Sequence, residues 1–159
     1  MRGTRAGARR ADGSTRALLD VNVLIAMAWP NHVHHEAVLT WLGGPGVVSF
    51  ATCPVTQSGF IRVSSNGRAI PGARAPREAQ ALLRQITALP GHTFWSDDVD
   101  LTRDPRVAWD RVGGHAQVTD AHLLAVALRH GGRLATLDRG IADLVPVGTR
   151  SDAVIVIPG

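Results

Sequence analysis

The chain contains no lysine: all 17 of its basic residues are arginine, set against 13 acids. It has no Walker loop, no dinucleotide glycine fingerprint and no nucleophilic Ser or Cys elbow, so the common phosphate-cradling and acyl-transfer motifs are excluded. Cys53 is the single cysteine. No internal disulfide can form, and a reducing compartment suits the chain. No segment stays apolar for the ~18 residues that a membrane helix needs. These absences leave a globular, non-membrane protein whose simplest location is the cytoplasm.

What is present is unevenly placed. Residues 1–16 carry Arg2, Arg5, Arg9, Arg10 and Arg16 against Asp12 alone, which accounts for the whole formal charge of +4, while the remainder balances 12 arginines with 12 acids. This Gly/Ala/Arg stretch has neither helical nor strand period and reads as a disordered tail. It is either a weak phosphate-binding arm or a leader without function, and the second fits a segment of such low complexity better. The Arg-rich start, the apolar stretch Leu18 to Trp29 and the triplet Ala26-Met27-Ala28 imitate a secretory signal. Asp20 and Asn22 argue against one, because an acid inside the apolar region of a signal is costly.

A chain of 159 residues with 45% apolar content fits one domain with a proper core, here residues 17–159. Strand and helix signals alternate along it, the pattern of an α/β domain with a mostly parallel sheet covered on both faces. Strands are expected near Ala17–Asp20, Val47–Ala51, Thr93–Ser96, Arg133–Asp138 and Ala153–Ile157. Helices are expected near Val23–Trp29, His34–Leu42, Pro54–Ser65 and Pro76–Leu89, the last with Ala79, Leu82, Leu83, Ile86 and Leu89 on one side. The stretch Asp97–Gly114 reads as loop with one helical turn. Thr119 is placed to cap an apolar helix over Ala121–Leu128, and a short helix follows over Gly140–Leu144.

Two of these strands stop on an aspartate, Asp20 and Asp138, and a third acid, Asp120, opens the helix before the second of them. In a doubly wound sheet, strand ends and the adjoining helix starts share the edge at which ligands bind. Like charges there repel by roughly 4 kcal/mol per pair at about 4 Å in a partly screened site, so a cluster of acids implies a counter-cation. Each acid also has an ordinary role open to it. Asp20 is a possible helix cap with Asn22 as its rival, Asp138 is evenly balanced between capping and serving the site, and Asp120 gains from the helix dipole. Their joint position makes the argument.

The segments LLDVNVLIAMAWPNHVHHEAVLTWL, TCPVTQSGFIRVSSN and VTDAHLLAVALRHGGRLATLD, in that order, resemble the PIN-domain ribonucleases of the VapC toxin type. The resemblance implies a single α/β/α sandwich with an acidic pocket that holds Mg²⁺, for which Mn²⁺ can substitute, and cuts RNA. It further implies a homodimer and a cognate antitoxin that blocks the pocket. It maps the family's metal-binding and catalytic acids onto Asp20, Asp120 and Asp138, with Thr136 as a neighbouring hydroxyl and Asn22 as a polar support. One departure is evident: where the family places a glutamate on the helix after the second strand, this chain has Gln57. An amide can coordinate through oxygen but brings no charge, which favours weaker metal binding.

The remaining candidates fit structural roles better. His32, His34 and His35 have no cysteine partner for a zinc site and read as solvated or locally capping. His115 and His122 flank the expected pocket. Trp29, Trp41, Trp95 and Trp109 could stack on bases but suit core or interface packing, and Arg62 is placed either to face phosphate or to brace the pocket, with bracing slightly favoured. No residue is singled out for RNA binding. Two other functions stay open. One is a PIN-like module weakened at Gln57 that only binds RNA or protein. The other is a haloacid-dehalogenase-like phosphatase, which needs an aspartate where Asn22 stands.

Overall fold

A computed structural model describes residues 16–44 and 49–159. The tail expected over residues 1–16 lies outside the described residues except for Arg16, as do Val47 and Val48 at the expected start of the second strand. Arg16 belongs to the sheet: β1 spans Arg16–Leu19, one residue earlier than its sequence indicates. β2 is Ser49–Thr52, β3 His92–Phe94, β4 Arg133–Thr136 and β5 Val154–Val156. They form one sheet in the order β3-β2-β1-β4-β5. Every pairing is parallel, so all the strand ends lie along one edge.

The strand sequences explain their central place. Ala17, Leu18 and Leu19 are fully buried, which matches apolar side chains on both faces of a covered parallel strand. Alternate residues serve different layers. Leu18, Ala51 and Leu134 pack beneath the helix α5, Val118–Arg129, whose residues Leu123 to Ala127 are all fully buried. Ala17, Leu19, Phe50 and Ala135 pack on the opposite side against α1 (Val21–Ala28), α3 (Pro54–Ser64) and α4 (Pro76–Thr87). The helix α2, His35–Leu42, covers α1 through Val38.

Several boundaries differ from their expected places. Helix α1 starts at Val21 because Asp20, not Asn22, is its cap. Helix α4 ends at Thr87, leaving Leu89 exposed rather than on the buried stripe. Thr119 does not cap α5. A 3₁₀ turn over His115–Gln117 feeds directly into the helix, and Gln117 at the cap position spends its Oε1 on the Gly113 N–H at 2.7 Å. The long loop after β3 holds a second 3₁₀ turn at Trp109–Arg111.

Close approach fixes the layers. A Cβ on Gly59 of α3 would stand 2.5 Å from Val21 Cγ2 at the start of α1, so the glycine lets α3 lie against the turn that presents Asp20. Among the described residues, no helix is long and apolar enough to cross a membrane.

Candidate functional site

The backbone of Asp20 continues the β1–β4 ladder through its N–H to the Ala135 carbonyl at 2.9 Å. Its side chain then has two tasks. Oδ1 accepts from the Val21 N–H at 2.7 Å, which caps α1, and Oδ2 accepts from Thr136 Oγ1 at 2.8 Å. Asp20 is only 7% exposed, and Thr136 is fully buried. The threonine hydroxyl is saturated: besides its one donated bond it accepts from the Asp138 N–H at 3.0 Å and from Asn22 Nδ2 at 3.4 Å. Asn22 Oδ1 accepts from the Leu137 N–H at 3.4 Å. Asp20, Asn22, Thr136 and Asp138 therefore form one network that ties α1 to the end of β4. Asp138 also caps the 3₁₀ turn Arg139–Leu144, its Oδ1 accepting from the Gly140 N–H at 2.8 Å. The capping role is present, and the charge of Asp138 still acts on Asp20 and Asp120.

Asp120 approaches from the first turn of α5. It is half-buried and, among the described residues, has neither a hydrogen bond nor a cationic partner. Its pKa is pushed up to about 6, first by burial and then by the charges of Asp20 and Asp138. The Asp20 carboxyl is also raised by burial, against the pull of its bonds to Thr136 and Val21, with Asp138 adding to the rise. The three acids thus sense one another. Among the described residues, however, no three acid, imidazole or thiol side chains are gathered closely enough to hold an ion as they stand. Carboxylates that repel without a cation between them are expected to stand apart. The donor set is nevertheless the right one for a hard divalent ion: carboxylate oxygens, with Asp120 wholly uncommitted.

Residues 17–145 match the PIN domain family. The chain is a PIN-domain protein of the VapC type. It is 48% identical to ribonuclease VapC39 of Mycobacterium tuberculosis over 132 residues, covering 83% of this chain and 95% of that protein. It is 44% identical to ribonuclease VapC38 of the same organism over 130 residues, covering 80% and 89% respectively. The crystal structure of VapBC2 from Rickettsia felis bound to a promoter DNA fragment contains a chain of the same fold. The two superpose with a TM-score of 0.60 at 11% identity, over 89% of this chain and 98% of that one.

In this PIN domain Gln57 begins the second turn of α3, and its Nε2 donates to Thr52 Oγ1 at 3.0 Å. Thr52 in turn lies 2.8 Å from His92 Nε2. Burial lowers the His92 pKa, which a backbone hydrogen bond with Thr87 partly opposes. The amide of Gln57 is thereby engaged on the α4 side of α3, where a cleft of about 260 Å³ is lined by Gln57, Ile61, Gln80, Leu83, Arg84 and Thr87. No hydrogen bond links it to the three acids.

Outside the acid network, one contact went unread in the sequence. Asp97, just after β3, places Oδ2 2.8 Å from His122 Nε2, although off the line of N–H donation. Two residues past Asp120, His122 thus fastens the β3 loop to α5. Its signal was an isolated polar side chain in an apolar helix. Of the other histidines, His35 bonds the Ala26 carbonyl through Nδ1 at 2.7 Å, and His32 Nδ1 accepts from the His34 N–H at 3.2 Å, local roles as expected. His115 and Arg62 are exposed. No bond from Arg62 to the acid network is present, so the bracing role expected of it is not seen.

Proposed function

We propose that this protein is the toxin of a type II toxin–antitoxin system and an endoribonuclease that hydrolyses RNA phosphodiester bonds in its 17–159 domain. The observation that carries this reading is Asp120, a half-buried carboxylate with no partner among the described residues and a pKa raised to about 6 by burial and then by the charges of Asp20 and Asp138. Such a group is stabilised by a cation. The kinship with named VapC ribonucleases supplies the reaction class, and the fold shared with a VapBC chain suits an antitoxin as partner. The cytoplasm and a homodimer complete the proposal.

Asp20, Asp120 and Asp138 are the metal-binding and catalytic acids, and Mg²⁺, or Mn²⁺ in its place, is the cofactor. When bound, such an ion supplies an acidified water for attack at phosphorus and neutralises charge building on the phosphate. The chain's own work is placement. The Val21 N–H and the Thr136 hydroxyl hold Asp20 in one rotamer and favour its charged form, partly opposing the effect of burial. Asn22 and the Asp138 N–H fix the Thr136 hydroxyl so that its proton points at Asp20. Gln57 adds no charge, which reduces repulsion of the incoming phosphodiester and also weakens cation binding. A module that binds RNA without cutting it is the second reading, favoured by the engagement of Gln57 with Thr52. The phosphatase alternative is disfavoured, since that family needs an aspartate where this chain has Asn22 and the chain matches the PIN domain family.

The test is cleavage of structured RNA by the wild type and by Asp120→Asn and Asp20→Asn. Cleavage that requires Mn²⁺ or Mg²⁺, stops on chelation and disappears in both variants is expected. Retained activity in both variants would sink the site assignment. Release of inorganic phosphate from small monoesters would sink the reaction class.

A further inference from the structure

Of the four tryptophans, three are occupied. Trp95 is 3% exposed and stacks flat on His130 at 4.8 Å. Trp29 is partly buried and bonds Ser64 Oγ, and Trp41 is partly buried against the α1 layer. Trp109 is different. It is 45% exposed, yet its orientation is fixed, because Nε1 donates to the Leu101 carbonyl at 3.0 Å. The turn that carries it is anchored on both sides, by buried Val107 and by Val112 against the α5 core.

We propose that Trp109 is a stacking platform for a base of single-stranded or looped RNA entering the acid site, an inference that rests on the ribonuclease reading. Two connections tie the turn that carries the ring to the elements that carry the acids. Arg111, in the same turn, donates from Nη1 to the Asp143 carbonyl at 3.3 Å, in the turn that Asp138 caps. In the other direction the chain runs from this turn into α5, whose first turn holds Asp120. An indole already held in place loses little freedom when a base covers it, and stacking on an aromatic ring tolerates any base. Arg111 beside the ring and Arg139 beside Asp138 are both exposed. They bring cationic charge for the phosphates flanking the stacked base.

The experiment measures binding of short oligoadenylate, and of an abasic ribose-phosphate chain of equal length, to the full chain carrying Asp120→Asn in chelator, a background that does not consume RNA and lacks the ion throughout, so that only the contribution of Trp109 differs between the proteins compared. Trp109→Ala is added to that background, with Trp109→Phe as the conservative control and circular dichroism to verify folding. The expected result is a loss of about tenfold or more in oligoadenylate affinity for Trp109→Ala, most of it restored by phenylalanine, with binding of the abasic chain unchanged. Equal loss on both probes, or no loss on either, overturns the platform. So does conversion of a dimer to a monomer by Trp109→Ala, which would assign the ring to a protein interface. Cleavage by the wild type together with Trp109-independent binding sinks the platform alone. Trp109-dependent binding without cleavage of any RNA sinks the ribonuclease reading instead.

Discussion

Asp120 shows how one side chain carries a cost that its own fold does not relieve. An acid whose pKa is raised on folding binds its proton more tightly in the native state, so metal-free stability is greatest below the ordinary value of 3.8. It falls as pH rises towards about 6. Asp120→Asn removes that loss. In chelator at pH 7 the variant is expected to be the more stable by about 1 kcal/mol, after discounting for screening on the open side, and the gain should vanish near pH 4. Thermal unfolding at the two pH values checks this, and a variant less stable than wild type at pH 7 refutes it. Mn²⁺ should then raise the midpoint of the wild type and leave Asp120→Asn unmoved. Thr136→Val reports on the neighbouring network. It strips Asp20 of a buried hydrogen bond and should cost about 1–3 kcal/mol, with a loss of metal affinity that an isosteric core change would not produce. Gln57→Glu restores a charge beside Thr52 and is expected to tighten Mn²⁺ binding; unchanged affinity and cleavage would show that this position lies outside the metal's field.

At the scale of elements, the turn that presents Asp20 is placed by the close contact of α1 with α3. Gly59→Ala would drive a methyl into Val21 Cγ2, and valine has little freedom at χ1 to retreat. Overpacking of this kind costs about 1–3 kcal/mol, partly offset by up to about 1 kcal/mol of helix propensity. A fall in midpoint of several degrees follows for a domain of this size. Pairing it with Val21→Ala should recover much of that fall, whereas additive losses would disprove direct contact. The same elements show what was legible beforehand. β1, α3, α5 and β4 could be read from the sequence because continuous apolar runs, Pro54 at a first turn and a glycine stop each have one physical meaning. The α5 cap could not. Thr119 has the right chemistry for a cap, but the preceding 3₁₀ turn had already satisfied the helix start by another route. Leu89 likewise fits the helical period of α4, while the helix ends before reaching it. The position of Gln57 was readable, but not the chain of bonds it joins, since beyond Thr52 that chain reaches His92, 40 positions further on.

For the whole molecule, charge is the remaining question, and it turns on where the arginines are. Residues 1–15 hold Arg2, Arg5, Arg9 and Arg10 against Asp12, so removing them would take away most of the net positive charge and no part of β1 or the acid network. The rest of the chain is close to neutral, and on the proposed reading its three acids lie where an anionic strand would approach. Without a cation that edge repels RNA; with one bound it attracts. A chain beginning at Arg16 is therefore expected to unfold at the same temperature as the full chain and to keep cleavage that is lost on chelation. Its RNA affinity should depend more on Mn²⁺ than on the leader. Titrating RNA at several salt concentrations separates the two contributions, because each phosphate neutralised on a single strand adds about 0.7 to the slope of log affinity against log salt. If the shortened chain lost several units of slope and most of its affinity, the leader would be an RNA-binding arm. If only the Mn²⁺ dependence distinguishes strong from weak binding, the acid edge governs capture of the substrate as well as its cleavage.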